Sequence, residues 1–174
     1  MEMNFCRRCG TKLTKKSAKV YQCENRHITF ENPAASVGVF FLTDDGKVML
    51  SVRGIEPHKG MLDAFGGFVD QEETLEGAVA RELKEELNLD APDYEPIRYL
   101  GSATGHYPYD GEVYLVITAL FWTRLKTEAQ LVAQDDVAAI NIIPLMEVDF
   151  TQLHDDDIRF GIKKLQDLFS SKSL

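Results

Sequence analysis

Apolar residues fall along this chain in short blocks rather than long runs, and the blocks change period twice. Residues 35–42 are almost continuously apolar, which predicts a strand buried on both faces. Thr43-Asp44-Asp45-Gly46 then carries an Asp-Gly turn signal, so residues 47–52 are expected as the antiparallel partner. Further strands are expected near 64–65, 97–102, 113–122 and 140–143. Two stretches switch to helical spacing. About 74–87 repeats Leu75, Val79, Leu83 and Leu87, and about 154–169 repeats Ile158, Ile162, Leu165 and Phe169. Strands mixed with two helices, without regular β-α alternation, predict an α+β layered fold. Glu31-Asn32-Pro33 marks a joint, because proline interrupts regular structure and forces its predecessor extended. It divides a small N-terminal module, 1–32, from a body, 33–174.

Composition narrows the function. With 44 % apolar residues the 174-residue chain can build a packed core, and no apolar run approaches the length of a bilayer span. The opening Met1-Glu2-Met3-Asn4-Phe5-Cys6-Arg7-Arg8 has no apolar leader region, so a cytoplasmic protein is expected. A net charge of −9 argues against sequence-blind binding to nucleic acid or to an anionic membrane. The charge is uneven, since residues 1–30 hold seven basic side chains against Glu2 and Glu24. An acidic body that acts on an anionic substrate needs a divalent cation between them.

The three cysteines, Cys6, Cys9 and Cys23, all lie in the basic module, an odd number that suits metal better than disulfides. Cys6-Arg7-Arg8-Cys9-Gly10 is a C-x-x-C-G knuckle, and Cys23-Glu24-Asn25-Arg26-His27 adds a second pair. Three thiolates and an imidazole complete the Cys₃His set of a closed structural Zn²⁺ site. The intervening 10–22 is long enough for a hairpin that returns one pair to the other, as in a zinc ribbon. The competing reading is a set of reduced thiols with His27 packed near Phe30.

The densest chemistry lies between Gly66 and Leu89. Glu82, Glu85 and Glu86 are spaced i, i+3, i+4, which at ~100° per residue places them within an arc of ~100°. That arc flanks the stripe of Leu75, Val79, Leu83 and Leu87, so the carboxylates are expected where the helix meets the body. Partial burial worsens their repulsion unless a cation neutralises it. Carboxylate oxygens are hard ligands, which selects Mg²⁺ or Mn²⁺, commonly bound together with substrate phosphates. Gly66-Gly67 permits close backbone approach, Arg81 can pair with Glu73, and Asn88 suits a left-handed helix end. Spacing alone leaves an ordinary solvated acidic face equally open.

The segment resembles the Nudix box, G-x5-E-x7-R-E-U-x-E-E-x-G-U with U a bulky aliphatic, through Gly67, Glu73, Arg81, Glu82, Leu83, Glu85, Glu86 and Leu89. Only Asn88 departs, standing where the box has glycine. The resemblance implies a Nudix α/β/α sandwich, a mixed sheet between helices, here preceded by a small zinc ribbon. It also implies hydrolysis of a nucleoside diphosphate linked to another moiety. Glu82, Glu85, Glu86 and the Gly66 carbonyl would hold Mg²⁺ or Mn²⁺, and Arg81 and Glu73 would orient the helix. The general base stays open among Glu82, Glu85, Glu112 and Asp136.

A zinc ribbon ahead of such a domain is similar to the NADH pyrophosphatase group, which implies a dinucleotide such as NAD(H) or an ADP-sugar such as ADP-ribose. That group's downstream array is met only by Ser102, Tyr107 and Pro108. Tyr107 and Tyr109 are expected to stack a base, and Arg53, Lys59 and Gly67 to meet phosphate. The ribbon is expected as a structural element or substrate lid, with a homodimer interface as another option. The alternative function is a nucleic-acid-binding or ligand-sensing protein without significant turnover.

Overall fold

The computed structural model describes residues 3–126 and 131–170. The first strands, β1 (Leu13–Ser17), β2 (Val20–Cys23) and β3 (Ile28–Phe30), form an antiparallel sheet in that order. The hairpin β1–β2 lies between the two cysteine pairs, as expected. β3 was not expected, because three residues are too few to show a period. This sheet has little core: Cys6, Leu13 and Cys23 are buried with Met3 and Tyr21 against them, while Phe5, Ile28 and Phe30 stay exposed.

The remaining elements are β4 (Ala34–Leu42), β5 (Lys47–Arg53), β6 (Leu62–Asp63), α1 (Leu75–Leu87), β7 (Arg98–Tyr109), β8 (Glu112–Thr123), β9 (Val137–Pro144) and α2 (Asp156–Ser170). They build a sheet of order β6-β5-β4-β8-β7, with β9 paired along the whole length of β5. β4 and β8 run parallel and the other pairs antiparallel, so the sheet is mixed. β4 alternates between two cores. Val37, Val39 and Phe41 pack with Val79, Leu83 and Leu87 of α1, whereas Phe40 and Leu42 pack with Ile158, Ile162 and Leu165 of α2. The predicted layering of helix, sheet and helix is therefore present, and its central strand is buried on both sides as its continuous apolar run requires.

The site depends on where the sheet opens. β4 pairs with β5 only at Phe41↔Met49 and Leu42↔Val48, after which the strands part. The edge of β4 is then taken by residues 65–69, with Phe65 and Val39 exchanging bonds of 3.1 and 2.7 Å and Val37 N–H donating to the Gly67 carbonyl at 2.9 Å. The strand expected at 64–65 is thus displaced: β6 is Leu62–Asp63, and Phe65 makes an isolated bridge. The glycine pair is stitched directly onto the central strand.

α1 begins where Thr74, the N-cap, accepts the Gly77 N–H at 3.1 Å. It ends at Asn88, whose φ of 55° is the left-handed conformation that glycine or asparagine supplies, with its N–H returning to Lys84 and Leu83 carbonyls. Val79, Leu83 and Leu87 are fully buried, but Leu75 is 38 % exposed. The expected stripe loses its first member because the opening turn overhangs the sheet.

Candidate active site

α1 carries Glu82 and Glu86 into the protein and leaves Glu85 at its rim. Glu82 and Glu86 are only 9 % and 5 % exposed, whereas the Glu85 side chain is 48 % exposed. Arg81 ties the helix to the loop before it. Its Nε and Nη2 donate to the two Glu73 oxygens at 3.1 and 3.0 Å, and Nη2 also donates to the Phe68 carbonyl at 2.9 Å. Its Nη1 donates to Glu82 at 2.8 Å and to Glu85 at 3.0 Å. The arginine hydrogen bonds hold the Glu73 carboxyl below its ordinary range and raise Arg81 above its own. One guanidinium therefore fixes both the loop and two of the three box glutamates.

The third glutamate is held from the glycine side. The Gly66 N–H donates to Glu86 Oε2 at 2.9 Å, and a Cβ on Gly67 would lie 2.5 Å from Glu82 Oε1, so any side chain there would displace the Glu82 carboxylate. Among the described residues one oxygen each of Glu82, Glu85 and Glu86 accepts a hydrogen bond and the other is left without one. Burial pushes the Glu86 carboxyl up to about 9, with the like charges of Glu82, Asp63 and Asp136 adding to it and the Gly66 N–H opposing. Burial also raises Glu82, against the pull of Arg81. An all-oxygen donor set with one unpaired oxygen on each of three carboxylates, bordered by the glycine pair, fits a hard divalent cation.

A turn and a strand end bring further acids to this edge. The charges of Asp135 and Asp136 bear on Glu82 and Glu86 respectively, and the Gly54 N–H holds the Asp136 carbonyl at 2.7 Å. Asp136 thus lies beside the glutamates, while Glu112 sits exposed at the β7–β8 hairpin, opposite Tyr109. Asp63, which the sequence did not single out, contributes from β6. Its partner is Arg53, whose Nη1 donates to Asp63 at 2.7 Å and whose Nε donates to the Pro57 carbonyl at 2.9 Å. Arg53 is therefore an anchored cavity wall rather than a freely reaching cation, and Lys59 is exposed in the neighbouring loop.

Tyr107 and Tyr109 lie on β7, which runs on past the strand expected near 97–102, and so share one face of it. Their rings stack at 6.4 Å and 16°, and Phe68 meets Tyr107 edge-on at 5.2 Å. With Ala34 and Tyr114 they line an aromatic cavity next to the glycine pair. Ser102 lies farther along β7, paired with Ala119. Phe68 and Tyr114 were missed because neither carries a local signal; the former enters through the 65–69 segment and the latter through the β7–β8 register.

In the N-terminal sheet Cys6, Cys9, Cys23 and His27 converge until their ligand atoms all lie within 4.8 Å of one another. Cys9 and Cys23 sulfurs are 3.7 Å apart, and Cys6 Sγ lies 3.6 Å from His27 Nδ1. A tetrahedron with metal–sulfur arms of ~2.3 Å has edges of about 3.8 Å, so these separations fit Zn²⁺. Both pairs sit on tight turns, with Gly10 N–H bonding the Cys6 carbonyl at 2.8 Å and Arg26 N–H the Cys23 carbonyl at 2.9 Å. The Thr11 hydroxyl lies 3.1 Å from Cys9 Sγ and, with further hydrogen bonds, brings that thiol down to about 5, favouring the thiolate a metal needs.

Comparison with known proteins agrees with this geometry. The chain is 34 % identical over 111 residues to the NAD-capped RNA hydrolase NudC of Vibrio atlanticus (strain LGP32), covering 61 % of this chain and 38 % of that protein. It is 35 % identical over 80 residues to the ADP-ribose pyrophosphatase of Methanocaldococcus jannaschii, 46 % of each chain. This chain thus spans less than half the length of the curated relatives it matches. The crystal structure of a NUDIX hydrolase from Nitrosomonas europaea superposes with a TM-score of 0.66 at 22 % identity, covering 98 % of this chain and 92 % of that one. The NUDIX domain model matches residues 32–163, from the joint to within α2, and the chain belongs to the Nudix family.

Proposed function

We propose that this chain is a divalent-metal-dependent diphosphatase that cleaves the diphosphate bond of a nucleoside diphosphate linked to another moiety, foremost a dinucleotide such as NAD(H) or an ADP-sugar such as ADP-ribose. The observation that carries the reading is the buried Glu82/Glu86 pair, with Glu85 at its rim, held by Arg81 and Gly66 against the glycine pair. The names of the NudC and ADP-ribose pyrophosphatase relatives support the substrate class.

Glu82, Glu85, Glu86 and the Gly66 carbonyl would hold Mg²⁺ or Mn²⁺, which supplies charge neutralisation on the diphosphate and an acidified water. Arg81 and Glu73 keep the helix and loop in register, which would hold the three carboxylates at the point where α1 meets the glycine pair. Gly67 keeps that point open to the substrate. Glu82, Glu85 and Asp136 are the carboxylates placed to take a proton from an attacking water, and the exposure of Glu85 gives it the freest access. The Phe68, Tyr107 and Tyr109 cavity receives an aromatic ring of the substrate.

Residues 1–32 act as a zinc ribbon on Cys6, Cys9, Cys23 and His27, and 33–174 as the hydrolase domain of a cytoplasmic protein. Incubation with Mg²⁺ and a panel of dinucleotides and nucleotide sugars, with chromatographic separation, tests the activity. The expected products from NAD(H) are AMP and nicotinamide mononucleotide. Failure to cleave any diphosphate-linked nucleotide would contradict it.

A further inference from the structure

A second compartment opens on the α2 side of the sheet and borders the glutamates through Gly66 and Gly67. It offers about 100 Å³ of room, shares Phe68 and Tyr107 with the aromatic cavity, and is lined at its end by Ser36, Thr118 and Asp157. All three end residues are buried. The β7 side is cut back to Gly105, where a Cβ would lie 2.9 Å from Asp155 Oδ2. What remains is a slot between strand backbone and the start of α2.

The direction of each hydrogen bond in the slot can be worked out. Thr118 has one hydroxyl proton, and it donates it to Asp157 Oδ2. The 2.8 Å contact between Ser36 and Thr118 must therefore be donated by Ser36, which leaves the Ser36 oxygen as an acceptor. Asp157 Oδ1 accepts the Ile158 N–H at 2.8 Å, and Asp155 accepts the Asp156 and His106 N–H groups at 2.6 and 3.3 Å. The Ser36, Thr118 and Asp157 end of the slot thus offers acceptors, with Arg53 as the cationic donor of the lining. Both ring nitrogens of His154, on the same wall, are shut from solvent with no hydrogen-bond partner among the described residues. These nitrogens are closed to the compartment as well as to bulk water, so it is the acceptors at its end that are left for a ligand.

We propose that this compartment reads an exocyclic amino group on the flat heterocycle of the substrate, with Ser36 and Asp157 as specificity-determining residues. An amino group donates two hydrogens to this acceptor wall. An oxo group or a carboxylate at the same position sets acceptor against acceptor, and a carboxylate adds like charge beside Asp155 and Asp157. The inference rests on the diphosphatase reading for the placement of the rest of the substrate. The same NH₂ chemistry is found on adenine and on the nicotinamide carboxamide, and two substrate pairs separate these sources.

The full chain is assayed with Mg²⁺ on NAD, on nicotinamide hypoxanthine dinucleotide and on nicotinic acid adenine dinucleotide. In the wild type one of the two replacements lowers kcat/KM by about tenfold or more, and which one identifies the ring that enters. Asp157→Asn, which places a donor on the wall, brings that ratio below about threefold or inverts it. Ser36→Ala shrinks the ratio in the same direction and serves if the buried asparagine impairs folding. Equal treatment of the three dinucleotides by the wild type, or a ratio that persists in both variants, overturns the proposal. If no dinucleotide is cleaved, the diphosphatase reading fails, and ligand-observed NMR decides this one separately. Preference for adenosine over inosine, or for nicotinamide riboside over nicotinic acid riboside, that disappears in Ser36→Ala supports it, and absence of either preference overturns it.

Discussion

The N-terminal sheet and the α1 edge of the body both crowd like-charged ligands, but they hold them by opposite means. Around Cys6, Cys9, Cys23 and His27 there is little else to pack, since among the described residues only Leu13 is buried beside two of the cysteines. Around Glu82 and Glu86 the ligands ride on a helix already fixed by Val79, Leu83 and Leu87 in a layered core. On the proposed reading a metal would replace the hydrophobic core in the first region, whereas in the second the hydrophobic core would prepare a place for one. The same chelator is therefore expected to unfold one and merely silence the other.

The largest effect expected is on the ribbon. One Zn²⁺ per chain is predicted by metal analysis, and its removal should make residues 3–32 protease-sensitive while the body stays resistant, because structural zinc supplies most of the folding free energy of such small modules. Equal resistance of both regions after complete removal would break the contrast. Next, Glu85→Gln should lower turnover by roughly 10²–10⁴-fold with little change in melting temperature, as expected when a charged group acts on the reaction and not on the core. Leu83→Ala should do the reverse of that separation, destabilising the body by about 2–5 kcal/mol through a cavity under α1 and leaving ribbon zinc content unchanged.

A pH series sharpens the picture further. The folded Glu86 carboxyl is raised to about 9 from an ordinary value near 4.5, so the folded protein binds more protons than the unfolded one between these values. Without divalent ions the Glu86 contribution to stability is thus fully present below about pH 4.5 and is lost as pH rises through 9. Glu86→Gln should flatten that decline in a series of thermal melts. The smallest effect is at the helix end, where Asn88→Gly should change stability by less than about 1 kcal/mol, since both residues reach the left-handed conformation.

What the sequence displayed depended on how local each feature is. The Arg81–Glu73 pair, the buried arc of Glu82 and Glu86, the αL end at Asn88 and the convergence of Cys6, Cys9, Cys23 and His27 all follow from short spacings, and each takes the geometry those spacings imply. The parallel pairing of β4 with β8 joins residues more than seventy positions apart, and no local pattern announces it. The same holds for Asp63 and Asp135 beside the glutamates, and for Phe68 and Tyr114 beside Tyr107: each is an ordinary strand or loop residue until the sheet brings it in. Arg53, a basic residue that the sequence offers for phosphate, is tied to a carboxylate visible only in the fold.

The central claim is that Glu82, Glu85 and Glu86 together bind a divalent cation. Calorimetric titration of Mn²⁺ at neutral pH, in buffers of different ionisation enthalpy, tests it directly on wild type and Glu86→Gln. The account predicts one site in the body, release of about one proton on binding as the raised Glu86 carboxyl ionises, and loss of both signals in the variant while ribbon zinc is retained. Equal Mn²⁺ affinity in the two proteins, with no proton released from either, would contradict it.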